Sequence, residues 1–543
     1  MEAIAVSLIL IALVVASSIL AKMSPVALPI PFVQIFLGAA AAFAFDFRVQ
    51  LDPPTFLLLL APLLFLDGWR TPKEGLLHDK GTIAALAFGL VFFTVLGAGY
   101  FIHWMIPTMP LAVAFALASA ISPTDAVAVS AIVSRVPVAK RLIHILEGES
   151  LLNDASGLVC MRFAIAAAAT GTFSILEASI TFIWIATIGV FVGVAVALLA
   201  TTAKDWVSRR FGEETGSQIL ISLLIPFAAY MLAERADASG ILAAVAAGVV
   251  MGWEERSGRA LPITRLQRAA VWDALQFAGN GAIFVVLGQQ LPAIVTGASE
   301  AVQETGHFGT FWLAVYVVAV SLALLFLRAA WAWVTLRILL FREKTADSDF
   351  AAPNWRLVAA TSLAGVRGAV TLAGAFALPI TLDDGSPFPS RDLVIFLAAG
   401  VIVLSLVLAN VGLPRVMNVV TLSPRPLLDQ DEVRARAAAT QAAISAVEQR
   451  LSELSKNPGS AERHADAAAR VLALYRQRLG SRTDAADVAD PDIREIEREL
   501  HLAAIRAERA EIYNAARSKR LPEELASRLI READLIESRF SLS

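Results

Sequence analysis

The chain has 543 residues, 57% of them hydrophobic and only 17% charged, with a mean hydropathy of +0.66. Its apolar residues gather in runs of about 20, the length that crosses a hydrocarbon core, which excludes an ordinary soluble domain. The net charge of −3 averages two differently composed parts. The single cysteine, Cys160, lies inside an apolar run and excludes both a disulfide framework and a cysteine-based metal site.

The first apolar stretch has no basic leading region and no clear cleavage site, so it reads as a spanning helix rather than a signal peptide. Thirteen candidate spans follow in order, beginning near residues 3, 26, 55, 81, 110, 147, 179, 216, 239, 270, 309, 355 and 392. The expected fold is therefore an all-α polytopic membrane protein. Residues 1–420 form its transmembrane domain and 421–543 a helical tail. Alternate loops hold 17 basic residues, among them Lys22, Arg70, Lys204, Arg209, Arg210, Arg265 and Arg268, against three in the others, Arg48, Arg235 and Arg391. This asymmetry places the N-terminus outside and the tail in the cytoplasm.

The fifth span reads LAVAFALASAISPTDAVAVSAIVS (Leu111–Ser134). Pro123 removes a backbone donor and pushes Ser122 toward extended geometry, so the helix should break around Ser122–Thr124. Such a break is tolerated at membrane depth only where it lines a cavity or is covered by protein. Asp125 follows directly. An ionisable side chain here costs ~2.5–3.5 kcal/mol or more, and its default reading is functional.

The sixth span holds two more, Glu149 and Asp154, in LEGESLLNDASGLV (Leu146–Val159). Ser150 and Asp154 are i,i+4 neighbours on one face, and Glu149 and Asn153 share the adjacent one. Glu149 requires a cation, and Arg328 in the eleventh span, with no other evident counter-ion, is the chosen partner. Freed carbonyls, the Thr124 hydroxyl, Asp125, Ser150 and Asp154 are all hard oxygen ligands. Without convergent His or Cys they suit Na⁺, Li⁺ or protons better than a transition metal.

The twelfth span offers a counterpart. SLAGVRGAVTLAGAFALP (Ser362–Pro379) carries Gly365, Gly368 and Gly374, with Arg367 between the first two. Glycine weakens the helix, and a guanidinium there would neutralise the negative ends of half-helices. Interrupted spans at matching places in two halves mark an inverted-repeat transporter with a site at the midplane. Spans 1–6 and 8–13 would form the two repeats, with the seventh as linker. Taken singly, a membrane Asp is often structural and a Pro often a mere kink. The combination points to an ion pathway. Asp67, in LLFLDGWR, lies near a span end and reads equally well as a solvated residue.

The tail reads as about four amphipathic helices, with Ala443, Val447, Leu451 and Leu454 at helical spacing. It has no phosphate-binding glycine loop, metal cluster or nucleic-acid motif, and a regulatory or dimer-supporting role is expected.

Four stretches, SPTDAVAVSAI, EGESLLNDASGLV, FAGNGAIFVVLG and GVRGAVTL, resemble the signature segments of the NhaP/NHE-type sodium–proton antiporters over about residues 5–420. The resemblance implies a homodimer of 13-helix inverted-repeat subunits with discontinuous helices 5 and 12. It implies Thr124 and Asp125 at the unwound fifth helix and Ser150, Asn153 and Asp154 as sixth-helix ligands. Glu149 with Arg328 resembles the family's structural ion pair, and Asp67 an acidic position near the cation passage. The Asn153–Asp154 pair resembles that of the electroneutral exchangers.

The expected activity is electroneutral exchange of Na⁺ or Li⁺ for H⁺ by alternating access in a plasma membrane, for pH and sodium homeostasis. The transported ions are the only small ligands, and no cofactor is expected. A K⁺/H⁺ exchanger of the same architecture is the alternative, and a cation channel or membrane sensor a more distant one. No GxxxxGK[ST] loop supports an ATP-driven pump.

Overall fold

The computed structural model describes residues 2–24, 29–45, 53–71, 89–125, 140–170, 175–256, 262–304, 311–343, 355–382 and 385–417, with a few tail segments such as 441–449. Several of the loops that carry the orientation signal, and Leu454 in the tail, lie outside the described residues. The chain divides into two compact units, Met1–Leu422 and Ser423–Ser543. In the second, 441–449 is helical, with Ala443 and Val447 half-buried.

The first unit is built from helices α1 (Glu2–Met23), α2 (Ile30–Phe45), α3 (Pro53–Arg70), α4 (Leu90–Met105), α5 (Leu111–Ile121), α6 (Lys140–Thr170) and α7 (Ile175–Phe211), followed by α8 (Thr215–Arg235), α9 (Gly240–Arg256), α10 (Pro262–Glu304), α11 (Phe311–Glu343), α12 (Trp355–Leu363), α13 (Ala369–Phe376) and α14 (Arg391–Met417). No β-strand occurs among the described residues; Thr381 and Pro387 form an isolated bridge. Six of the helices are individually long and apolar enough to cross a membrane. Helices prevail because each satisfies its own backbone hydrogen bonds where no water can. The outer surface confirms the solvent: on α7, Phe191 is 69% and Leu199 70% exposed, which suits lipid and not water.

Small residues let the helices approach closely. α3 crosses α9 at Gly68 and Gly248, and α2 crosses α10 at Gly38 and Gly288; a Cβ at any of the four would overlap the facing backbone. α1 packs on α2 and α10, while α8 packs on α9 and α3. α5 packs on α4, α6, α13 and α14 and is buried continuously from Ala116 to Ile121. A half-helix covered on all sides can end at membrane depth without exposing backbone to lipid.

Two sequence readings need correction. Arg265 and Arg268 were expected in a loop before a span starting near residue 270, but α10 begins at Pro262 and carries both. Arg268 is buried, with its guanidinium 5.8 Å over the Trp69 ring, so its aliphatic stem and planar head pack against the protein. Likewise Lys204, Arg209 and Arg210 extend the seventh helix instead of forming a loop.

Candidate functional site at the crossing of two broken helices

The fifth span stops being helical after Ile121, and Ser122 to Asp125 continue as non-helical chain. Pro123 accounts for this, and its ring packs directly against Gly157 of α6, where no side chain would fit. The twelfth span is broken between α12 and α13, over residues 364–368. The two breaks lie side by side, and the Asp125 N–H donates to the Val366 carbonyl at 2.7 Å.

Ending two helices inside the protein leaves carbonyls with no intrahelical donor and concentrates negative potential. Two arginines answer this. Arg367 Nε donates to the Ile121 carbonyl at 3.0 Å, closing the end of α5, and its Nη1 donates to the Gly365 carbonyl. Arg328 Nε donates to the Thr361 carbonyl at 3.1 Å, near the end of α12. The glycines of GVRG permit this crowding. A Cβ on Gly365 would overlap the Arg328 side chain, and one on Gly368 would overlap the Asp125 carboxylate.

Arg328 also makes a two-pronged pair with Glu149: Nη1 to Oε1 at 2.6 Å and Nη2 to Oε2 at 3.0 Å, with both side chains at most 3% exposed. This geometry matches a planar guanidinium to a planar carboxylate. Around it, Asn153 Nδ2 donates to Thr124 Oγ1 at 2.9 Å, and Thr124 Oγ1 lies 3.3 Å from Glu149 Oε1. Ser150 Oγ donates to the Thr124 carbonyl at 2.6 Å. Thr124, Ser150 and Asn153 thus tie the break in the fifth span to α6. The Thr124 N–H also donates to Asn153 Oδ1 at 3.5 Å.

Asp154, one turn beyond Ser150, is 5% exposed and makes no hydrogen bond or ion pair among the described residues. It lies within electrostatic reach of Asp67 and Asp125, and Asp67 within reach of Asp125. Asp67 is half-buried on α3. Its neighbour Arg70 is turned toward α10, where it pairs with Asp273 and donates to Gln276 Oε1 at 2.8 Å. Among the described residues no three His, Cys, Asp or Glu side chains are close enough to share a metal ion. What the crossing offers is a group of carboxylates, hydroxyls and carbonyls beside a buried, two-pronged Arg–Glu brace.

Sequence reasoning missed Arg162, although the criterion of an ionisable residue in an apolar run applies to it as well. It pairs with Glu234 of α8 at 2.5 Å, and Glu234 Oε1 also accepts the Gly240 N–H at 3.1 Å. Glu234 sits where a span end was expected, so nothing in its local sequence announced a partner.

Comparison with known proteins bears on what this arrangement does. An uncharacterized Na⁺/H⁺ exchanger of Escherichia coli K12, YjcE, is 36% identical over 537 residues, which cover 98% of this chain and 97% of that protein. A sodium, potassium, lithium and rubidium/H⁺ antiporter of Bacillus pumilus is 44% identical over 421 residues, 76% of this chain and 61% of that one. Its Bacillus subtilis namesake is 36% identical over 532 residues, 97% and 76% respectively. Among solved structures, the sodium proton antiporter MjNhaP1 of Methanocaldococcus jannaschii superposes with a TM-score of 0.57 at 18% identity, covering 77% of this chain and 99% of that one, which shows the shared fold. Residues 8–419 match the family described as the transmembrane sodium/hydrogen exchangers; the chain belongs to that family, as an NhaP-type Na⁺/H⁺ antiporter.

Proposed function

We propose that the protein exchanges one Na⁺ or Li⁺ for one H⁺ by alternating access, with Asp154 and Asp125 as the carboxylates for which cation and proton compete. The observation that carries this reading is Asp154 itself: a buried carboxylate with no hydrogen-bonding partner among the described residues, facing two other aspartates. An uncompensated buried charge is strongly unfavourable. The group therefore takes up a proton or a cation, and either loaded form can cross between the two sides. Thr124, Ser150 and Asn153 supply neutral oxygens around it, and Asp67 extends the acidic path. Glu149, Arg328 and Arg367 neutralise each other and the helix ends, so they brace the site without entering the exchange.

The packing supports thirteen spans in two inverted repeats, counting α12 and α13 as halves of one. If each span pairs with the one seven places later, the α2–α10 crossing maps onto α9–α3, and the packing of α1 on α2 and α10 maps onto that of α8 on α9 and α3. The glycine crossings repeat in the same way. Rocking of one bundle against another around a fixed site would then expose it alternately. A homodimer in the plasma membrane, with the N-terminus outside and a cytoplasmic regulatory or dimer-supporting tail, completes the proposal.

Asp154→Asn tests it. In proteoliposomes with an imposed pH gradient, the variant should be folded and show no Na⁺-driven proton movement; exchange at the native rate would overturn the assignment. Electroneutrality predicts that the native rate is unaffected when the membrane potential is clamped. The names of the two Bacillus relatives favour a wider range of cations, including K⁺ and Rb⁺. Adding Li⁺, Na⁺, K⁺ and Rb⁺ in turn to the same vesicles distinguishes that reading.

A further inference from the structure

Asp125 is held by the backbone of the other broken span. Its N–H is fixed by the Val366 carbonyl at 2.7 Å, and its carboxylate rests against the α-carbon of Gly368, leaving no room for a Cβ. The backbone at Gly368, with φ −128° and ψ −154°, is extended and open to any residue. Space, not conformational freedom, accounts for glycine here. We propose that Gly368 sets the reach of the Asp125 carboxylate and thereby the size of cation that the site accepts.

The main chain on both sides is anchored. The Arg367 N–H donates to Ser405 Oγ at 3.1 Å and its side chain holds the Ile121 carbonyl. Thr124, just before Asp125, is tied to α6 through Ser150 and Asn153. A methyl group at position 368 would therefore be relieved mainly by rotation of the Asp125 side chain away from the twelfth span. Asp154 stands on another helix and does not follow. The spacing of the two carboxylates changes, and an ion that must be gripped closely is affected before a larger one.

The inference rests on the reading of Asp125 as a cation ligand, so the experiment separates the two. Half-saturating concentrations of Li⁺, Na⁺ and K⁺ are measured in proteoliposomes for the native protein, Gly368→Ala, Gly374→Ala and Asp125→Asn. Gly374 lies in the same broken span, but the nearest atoms a Cβ there would meet belong to the side chains of Leu158 at 3.2 Å, Met161 at 3.6 Å and Ala120 at 3.9 Å, none of them a site residue. Gly368→Ala should raise the Li⁺ value relative to the larger cations by about tenfold, the scale of one methyl group in a fitted site. Gly374→Ala should leave the ratios alone.

Unchanged ratios in Gly368→Ala, or the same change in both alanine variants, would overturn the role of Gly368. Native exchange by Asp125→Asn would instead overturn the reading of the site. If Gly368→Ala fails to assemble, Asp125→Glu moves the carboxylate by one methylene against the same wall, and its ratios must shift. If both variants fold yet transport no cation from Li⁺ to Rb⁺, the proposal fails, because it claims a change of selectivity.

Discussion

The fifth span's helix ends inside the protein and the twelfth is interrupted there, by different means and to different ends. The fifth is broken by Pro123 and carries a carboxylate; the twelfth is broken at a glycine-flanked arginine and carries a guanidinium. Proline stops a helix by removing a donor, so its break is written into the local chain. Glycine only permits a break, and the twelfth span opens where Arg328 and Asp125 need to approach its backbone. The two breaks divide the labour: one presents a carboxylate, the proposed cation ligand, and the other cancels the field that two buried helix ends would create.

That division can be tested by removing one member at a time. The largest effect is expected at Arg328. Replacing it with Gln leaves Glu149 buried without its counter-ion, which costs about 3–5 kcal/mol. The variant should melt far below the native protein, and Glu149→Gln in the same chain should recover much of the loss; no recovery would mean that Arg328 acts chiefly on the Thr361 carbonyl. Next comes Arg367→Gln, which strips charge-assisted hydrogen bonds from Ile121 and Gly365 and should cost about 1.5–3 kcal/mol. Thermal unfolding in detergent measures it, and a loss as large as that at Arg328 would erase the distinction between the two breaks. The smallest effect belongs to the pair away from the crossing. Arg162 and Glu234 are about one-third exposed, at 31% and 34%, so Glu234→Gln should change stability by about 0–1 kcal/mol.

Much of this site was legible in the chain because its chemistry is locally improbable. A proline and an aspartate inside Leu111–Ser134, and two acids with an asparagine in Leu146–Val159, stand out against their apolar surroundings without any knowledge of the fold. The direction of the hydrogen bonds did not stand out. Ser150 serves the Thr124 carbonyl as well as facing the site, and Arg367 caps the fifth span as well as holding the Gly365 carbonyl of its own. Arg268 looked like a loop residue, because burial by Trp69 from another helix leaves no trace in its own neighbourhood.

Local chain chemistry dictates that the chain crosses a membrane, where its fifth span breaks, and which side chains are too polar to be there without a purpose. These follow from transfer energies and backbone sterics, which depend on a residue and its near neighbours. Arg328 could be named for Glu149 from the chain, but its two-pronged geometry and every other partner come from how the helices pack. Arg328 meets Glu149 across 179 residues, and Arg367 meets Ile121 across 246. Those meetings depend on how helices pack, down to the four glycines at the α2–α10 and α3–α9 crossings, and charge complementarity alone leaves several pairings equally allowed.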